Sequence, residues 1–156
     1  MKAATVKVIK DELKGRSSHE LIAICLRLAK FKKENKELLT YLLFEAANEF
    51  NYTAGIKTEV DEQFEQINTS SYYYIKKSIR KILRNLKRQI RYSQRKETEI
   101  ELLLYFCTKL KHLQPSIHSN KVLKNMYIRQ IALVRKRILL LHEDLQYDYG
   151  LLLEEL

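Results

Sequence analysis

The sequence predicts an all-α fold, with antiparallel helical hairpins packed as an irregular bundle or a short α-solenoid-like stack, in a single domain over 1–156. Three observations lead there. Only three Gly and one Pro interrupt the chain, while Leu, Ile, Lys, Glu and Arg, which suit helices, dominate it. Apolar residues recur at three- and four-residue spacing along most of the length. Polar residues of the kind that start helices precede most of these runs. A chain of this size buries roughly 70% of its unfolded surface, enough for an independent core.

The first helix is expected from Thr5 to Lys14, with Gly15 as its C-cap. Ser17-Ser18-His19-Glu20 reads as a capping box opening a second helix to about Lys33, with Leu21, Ile24, Cys25 and Leu28 on one side. Asn35 is the expected cap of a third, running through Leu38, Leu39, Leu42, Leu43 and Ala46 to about Asn51; so short a connection makes the pair antiparallel neighbours. Tyr52 to Lys57 reads as a loop around Gly55, followed by a short acidic helix, Glu59 to about Ile67, capped by Thr58. After the polar break Asn68 to Ser71, a long helix runs to about Tyr92. The next, Glu97 to Leu113, is apolar nearly all round and should be central. Gln114-Pro115-Ser116 stops it. A final helix runs from Asn120 to at least Gln146, with an acidic extension over 143–156. At an offset of 62 residues Leu21, Ile24 and Leu28 match Leu83, Leu86 and Ile90; this suits stacked hairpins, though any two amphipathic hairpins match at apolar positions.

The net charge of +10 is unevenly distributed. Residues 1–65 carry eleven basic and eleven acidic side chains, residues 66–142 eighteen basic and three acidic, and residues 143–156 five acids and no base. The stretch Ser70 to Lys96 contains ten Lys or Arg and no Asp or Glu. At 100° per residue, Ile75, Ile79, Ile82, Leu83, Leu86 and Ile90 occupy an arc of about 100°. Lys76, Lys77, Arg80, Lys81, Arg84, Lys87, Arg88, Arg91 and Arg95 occupy a separate arc of about 140°. The helix is therefore anchored in a core on one side and carries a cationic strip on the other. Arg supplies five of these nine charges, and its planar fork suits phosphate oxygens.

Ordinary solvated helix faces mix acids with bases, whereas this strip stacks like charges three and four residues apart, at a cost of roughly 0.2–0.5 kcal/mol per pair. Two remedies exist. Either the acidic helix (Glu59, Asp61, Glu62, Glu65) or the acidic end of the chain (Glu143, Asp144, Asp148, Glu154, Glu155) folds against it, or an external polyanion neutralises it. Tyr72, Tyr73 and Tyr74 point 100° apart, so at most two share a surface. Tyr73 falls within the basic arc and is the candidate for stacking on a base. Lys121, Lys124, Arg129, Arg135, Lys136 and Arg137 add a second basic contribution, with Arg137 and Gln130 placed in the apolar arc of their helix, where they meet a carboxylate from another helix or line a groove.

Catalytic chemistry finds little support. Three isolated glycines make neither a Walker loop nor a dinucleotide fingerprint. Cys107, His112 and His118 have no common zinc spacing, and Glu45 with Glu49 lacks the Glu-x-x-His partner of a di-iron bundle. His142-Glu143-Asp144 point different ways on a helix. No enzyme activity, cofactor or metal is expected. The N-terminal residues carry no signal-like apolar run, and no apolar run is long enough to span a bilayer, so the chain reads as cytoplasmic, with Cys25 and Cys107 as buried reduced thiols. The expectation is a non-enzymatic binder of RNA or DNA backbone, using the strip and part of the final helix. The rival is a helical adaptor or homo-oligomer in which acidic segments of the same or a partner chain meet the strip.

Overall fold

A capping box legible in the sequence opens the second helix of the computed structural model, which describes residues 1–156. The structure is all-helical, and it divides into two compact units, Met1–Phe44 and Glu45–Leu156.

In the first unit, the Thr5 hydroxyl accepts from the Val8 N–H and opens α1 (Val6–Lys14), which ends at Gly15. The capping box of Ser17 and Glu20 opens α2 (Ser18–Phe31). Its hydrogen bonds from Ser17, then the nearby Arg16, hold the Glu20 carboxyl below its ordinary pKa. One extended residue, Lys32, separates α2 from α3 (Lys33–Thr40). Asn35 does not cap α3: it lies inside that helix, where its side-chain N–H donates to the Leu28 carbonyl at 2.9 Å and ties α3 back to α2. A π-helical turn, Tyr41–Glu45, replaces the expected continuation to Asn51. None of α1, α2 or α3 buries a side chain. Ile22, Ile24, Leu26, Leu28 and Phe31 are exposed, and so is Cys25, which the sequence placed in a core. The apolar periodicity of α2 is real, but nothing in the unit covers that face. The offset of 62 residues thus pairs buried Leu83, Leu86 and Ile90 with half-buried Leu21 and exposed Ile24 and Leu28.

In the second unit, Asn48 accepts from the Asn51 N–H and opens α4 (Glu49–Glu65). The loop expected at 52–57 is absent. Thr53, Ile56, Val60 and Phe64 form one buried stripe through it, and their burial outweighs the roughly 1 kcal/mol that Gly55 costs in a helix interior. Thr58 is correspondingly interior, its hydroxyl donating to the Ala54 carbonyl. α5 (Tyr72–Ser93) and α6 (Lys96–Lys111) follow, joined at Gln94, which adopts a left-handed conformation with φ 58°. A 3-10 turn (Ile117–Ser119) leads to α7 (Lys121–Ile138), capped by the Asn120 side-chain oxygen, which accepts from the Val122 and Leu123 N–H groups.

The expected continuous final helix breaks at Leu139–His142, and α8 (Glu143–Glu154) turns back to pack on α6 and α7. The break lets Tyr149, Leu153 and Leu156 join the core instead of projecting beyond it. Gln146 fastens the corner by donating to the Leu141 carbonyl at 2.8 Å, and the Tyr127 hydroxyl donates to the Leu156 carbonyl at 2.7 Å.

As its all-round apolar sequence implies, α6 is the axis of this unit, packing against α4, α5, α7 and α8. Ile100, Leu102, Leu103, Phe106, Cys107 and Leu110 are almost wholly buried, and Phe64 of α4 meets Phe106 edge-on with ring centroids 5.9 Å apart. Each such side chain contributes roughly 1.5–3 kcal/mol of burial. Burial without a partner also pushes the Cys107 thiol up to about 12.

Candidate functional site

α5 is held by its aliphatic side. Ile75, Ile79, Ile82, Leu83, Leu86 and Ile90 are all buried, against α4 and α6. Two tyrosines fix the helix further: the Tyr72 hydroxyl donates to the Ser116 carbonyl at 2.8 Å, and the Tyr52 hydroxyl of α4 to the Gln89 carbonyl at 3.0 Å. With the inner side committed to packing, the opposite side is fixed in direction.

On that outer side Lys77, Arg80, Lys81, Arg84, Lys87 and Arg91 are exposed and make no ion pair. Lys76 and Arg88 sit half-buried at the edges of the strip, and Arg88 is engaged within the protein. Arg95 lies past the end of α5 and is also engaged. Its side chain pairs with Glu49 at 3.6 Å and donates to the Ala46 carbonyl. Glu49 additionally accepts from Thr98, at 2.6 Å, and from Ser93. Arg95 is thus part of the scaffold, and six of the nine strip cations are free.

Apart from Glu49, the acids of α4 make no ion pair with the strip. Asp61 accepts from the Tyr105 hydroxyl of α6 at 2.6 Å and pairs with Lys109 at 2.9 Å. Burial disfavours the Asp61 carboxylate, but the Tyr105 bond and the Lys109 ammonium outweigh this and lower its pKa. Tyr105 is in turn pushed up to about 12 by burial and by Asp61. Glu59 accepts from Gln89, a neutral side chain of α5, at 2.9 Å, while Glu62 and Glu65 are exposed without ion pairs. The one cation on the same helix also looks inward: Lys57 pairs with Glu101 at 2.6 Å and lies over the Tyr105 ring. These polar contacts close the α4–α6 interface. They border a cavity of about 250 Å³ whose walls include Lys57, Tyr105, His112 and Tyr149. Sequence reading missed this network because its partners are 44 or 48 residues apart; only their separation by four within each helix, Lys57 with Asp61 and Glu101 with Tyr105, hints at it.

The acidic C-terminal helix does not meet the strip either. Asp144 pairs with His142 at 3.6 Å, and Glu143, Asp148, Glu154 and Glu155 make no ion pair. In α7, Lys121, Lys124, Arg129, Arg135 and Lys136 are exposed and unpaired, whereas Arg137 pairs with Glu99 of α6 at 2.9 Å, a structural use. Gln130 is buried beside it on the same stripe.

The N-terminus of α5 is open. Ser71 occupies the cap position but its hydroxyl caps nothing, and the first turn holds no acid. There Tyr73 and Tyr74 stand exposed, packed edge-on with ring centroids 5.3 Å apart. Tyr74, which faces neither arc of the wheel, is brought to Tyr73 by this contact. The result is a surface of cations and two rings with no acid of its own. No known protein family, curated protein sequence or solved structure matches this chain.

Proposed function

We propose that the protein is a non-enzymatic, cytoplasmic binder of nucleic acid that holds the phosphate backbone through the outer side of α5. One observation carries this reading: six exposed cations, Lys77, Arg80, Lys81, Arg84, Lys87 and Arg91, share a face on which no acid pairs with them. Of the candidate internal neutralisers, Asp61 is engaged with Tyr105 and Lys109 of α6, and neither the remaining acids of 59–65 nor those of α8 make an ion pair with these six cations. Such a face gains affinity by releasing the counterions condensed on a polyanion, and it needs no base-reading side chain to do so. Binding is therefore steeply salt-dependent and weak in sequence preference.

The test is charge reversal. Replacing Arg80, Arg84 and Arg91 together by Glu abolishes retention of generic oligonucleotides while leaving the helical circular dichroism unchanged. Undiminished binding by that variant sinks the assignment. The rival, a homo-oligomer or adaptor in which the strip meets acidic segments of another chain, is read in the same preparations: sedimentation of the wild type as a salt-sensitive dimer that the Glu variant abolishes would favour it.

A further inference from the structure

The reading of α5 as a phosphate-binding face leaves open the form of the nucleic acid. Within the strip the exposed side chains are ordered. Tyr73, Lys77, Arg80, Arg84, Lys87 and Arg91 follow one another by alternate steps of four and three residues, so they lie in one straight row along the helix. The row spans 18 residue steps, about 27 Å at 1.5 Å per residue. One end carries an aromatic ring and the rest carries only cations.

A duplex fits this row poorly. Each strand of B-form DNA completes a turn in about 34 Å, so over 27 Å it winds through about three-quarters of a turn and leaves the face of a straight helix. A reading helix also mixes Asn, Gln or small apolar side chains with its Arg and Lys to tell A·T from G·C pairs, and the exposed row offers none of these. A flexible single strand has neither restriction. It can lie along the row, and its unstacked bases are free to meet a ring.

The tyrosines supply that ring. Tyr73 is 66% exposed and Tyr74 46%, and the edge of one packs on the face of the other. The pair therefore holds its rings in fixed orientation while leaving much of their surface in water. Exposed rings at the head of a cation row are the two components of single-strand recognition, a stacking platform and a backbone track. We infer that the ligand is single-stranded RNA or DNA, with an unpaired base stacked on Tyr73, supported by Tyr74, and the adjoining phosphates running along Lys77 to Arg91.

The experiment rests on the function proposed above but separates from it. Full-length protein is titrated with four fluorescent probes of about 20 nucleotides, a length that spans the row: oligo-U, oligo-dT, an abasic strand of the same length, and a mixed-sequence duplex. The expected order is oligo-U or oligo-dT, then the abasic strand and duplex, weaker by about 5- to 10-fold, at the lower end of what one stacked base contributes. A preference between oligo-U and oligo-dT identifies which source is used. Tyr73→Ala, with its exposed site and intact circular dichroism, lowers affinity for the base-bearing strands by a similar factor and leaves the abasic strand unchanged. Tyr73→Phe, which keeps the ring, restores wild-type binding. If Tyr73→Ala changes nothing, or if duplex binds as tightly as oligo-U and oligo-dT, the single-strand inference is overturned even though charge-dependent binding stands. If the Arg80, Arg84 and Arg91 charge-reversal variant still binds every probe, the underlying function falls as well.

Discussion

Neutralising three arginines of α5 should stabilise the protein and weaken its binding at once. The strip contains ten like-charge pairs spaced three or four residues apart, and Arg80, Arg84 and Arg91 take part in nine of them. Arg80, Arg84 and Arg91 themselves make no ion pair with an acid of the chain. At roughly 0.2–0.5 kcal/mol per pair, replacing all three by Gln, a good helix former, relieves about 2–4 kcal/mol at low ionic strength and about half that near 0.15 M salt. With a urea m-value near 2 kcal/mol/M, the midpoint followed by circular dichroism rises by about 0.5–1 M. Binding moves the other way. Six free cations on a single strand give a slope of log K against log salt of about −4, and three give about −2. Between 0.05 and 0.2 M salt, wild-type affinity for oligo-dT then falls by about 250-fold and that of the Gln variant by about 16-fold. Fluorescence anisotropy across that range reads both slopes. An unaltered slope, or a lower urea midpoint in the variant, would refute the view that these arginines are unpaired in the free protein and paired by phosphate in the complex.

Two further outcomes test the scaffold. The Asp61 carboxyl has a lowered pKa, so its contribution to stability is full above the ordinary carboxylate value near 4 and is lost as pH falls through the folded value. Tyr105 and Cys107 are raised to about 12, so their contributions are present at neutral pH and are lost as pH climbs toward 12. The urea midpoint is thus flat between pH 6 and 8 and falls at both extremes, and Tyr105→Phe shrinks the acid loss; an acid limb untouched by that substitution counts against the Asp61–Tyr105 bond. For the thiols, Ellman's reagent should titrate one cysteine per native chain at once, the exposed Cys25, and Cys107 only after denaturation. Two fast thiols, or none, would contradict the placement of these side chains.

How much of this was legible depended on whether the deciding interaction was local. The capping box of Ser17 and Glu20 and the two-sided wheel of α5 are written within a few residues, and the structure contains both. The centrality of α6 followed from its lack of any polar face. Gly55 misled because local propensity argued for a loop, whereas the stripe Thr53, Ile56, Val60 and Phe64 is satisfied only by packing on other helices. The break at Leu139–His142 carries no Gly or Pro; its one local trace is the pair of acids, Glu143 and Asp144, suited to the first turn of a new helix. Cys25 and Leu28 showed that periodicity gives the direction of an apolar face and not whether anything covers it. For the site, the wheel grouped all nine cations and Tyr73. The commitment of Arg95 to Glu49 depended on a contact between positions 46 residues apart, and no single-helix pattern encodes that.

The straight row on α5 has a kinetic consequence. Its positions 77, 80, 84, 87 and 91 repeat at nearly equal steps and each carries a cation, so a strand displaced by one step again meets positive charge. Two to four alignments of similar energy would contribute about 0.4–0.8 kcal/mol of mixing entropy to a complex. Passing from one alignment to the next breaks ion pairs singly and never all together. A bound strand would then perform a one-dimensional walk along the helix, its step length set by the helical repeat, while Tyr73 at one end acts as a brake whenever a base reaches it.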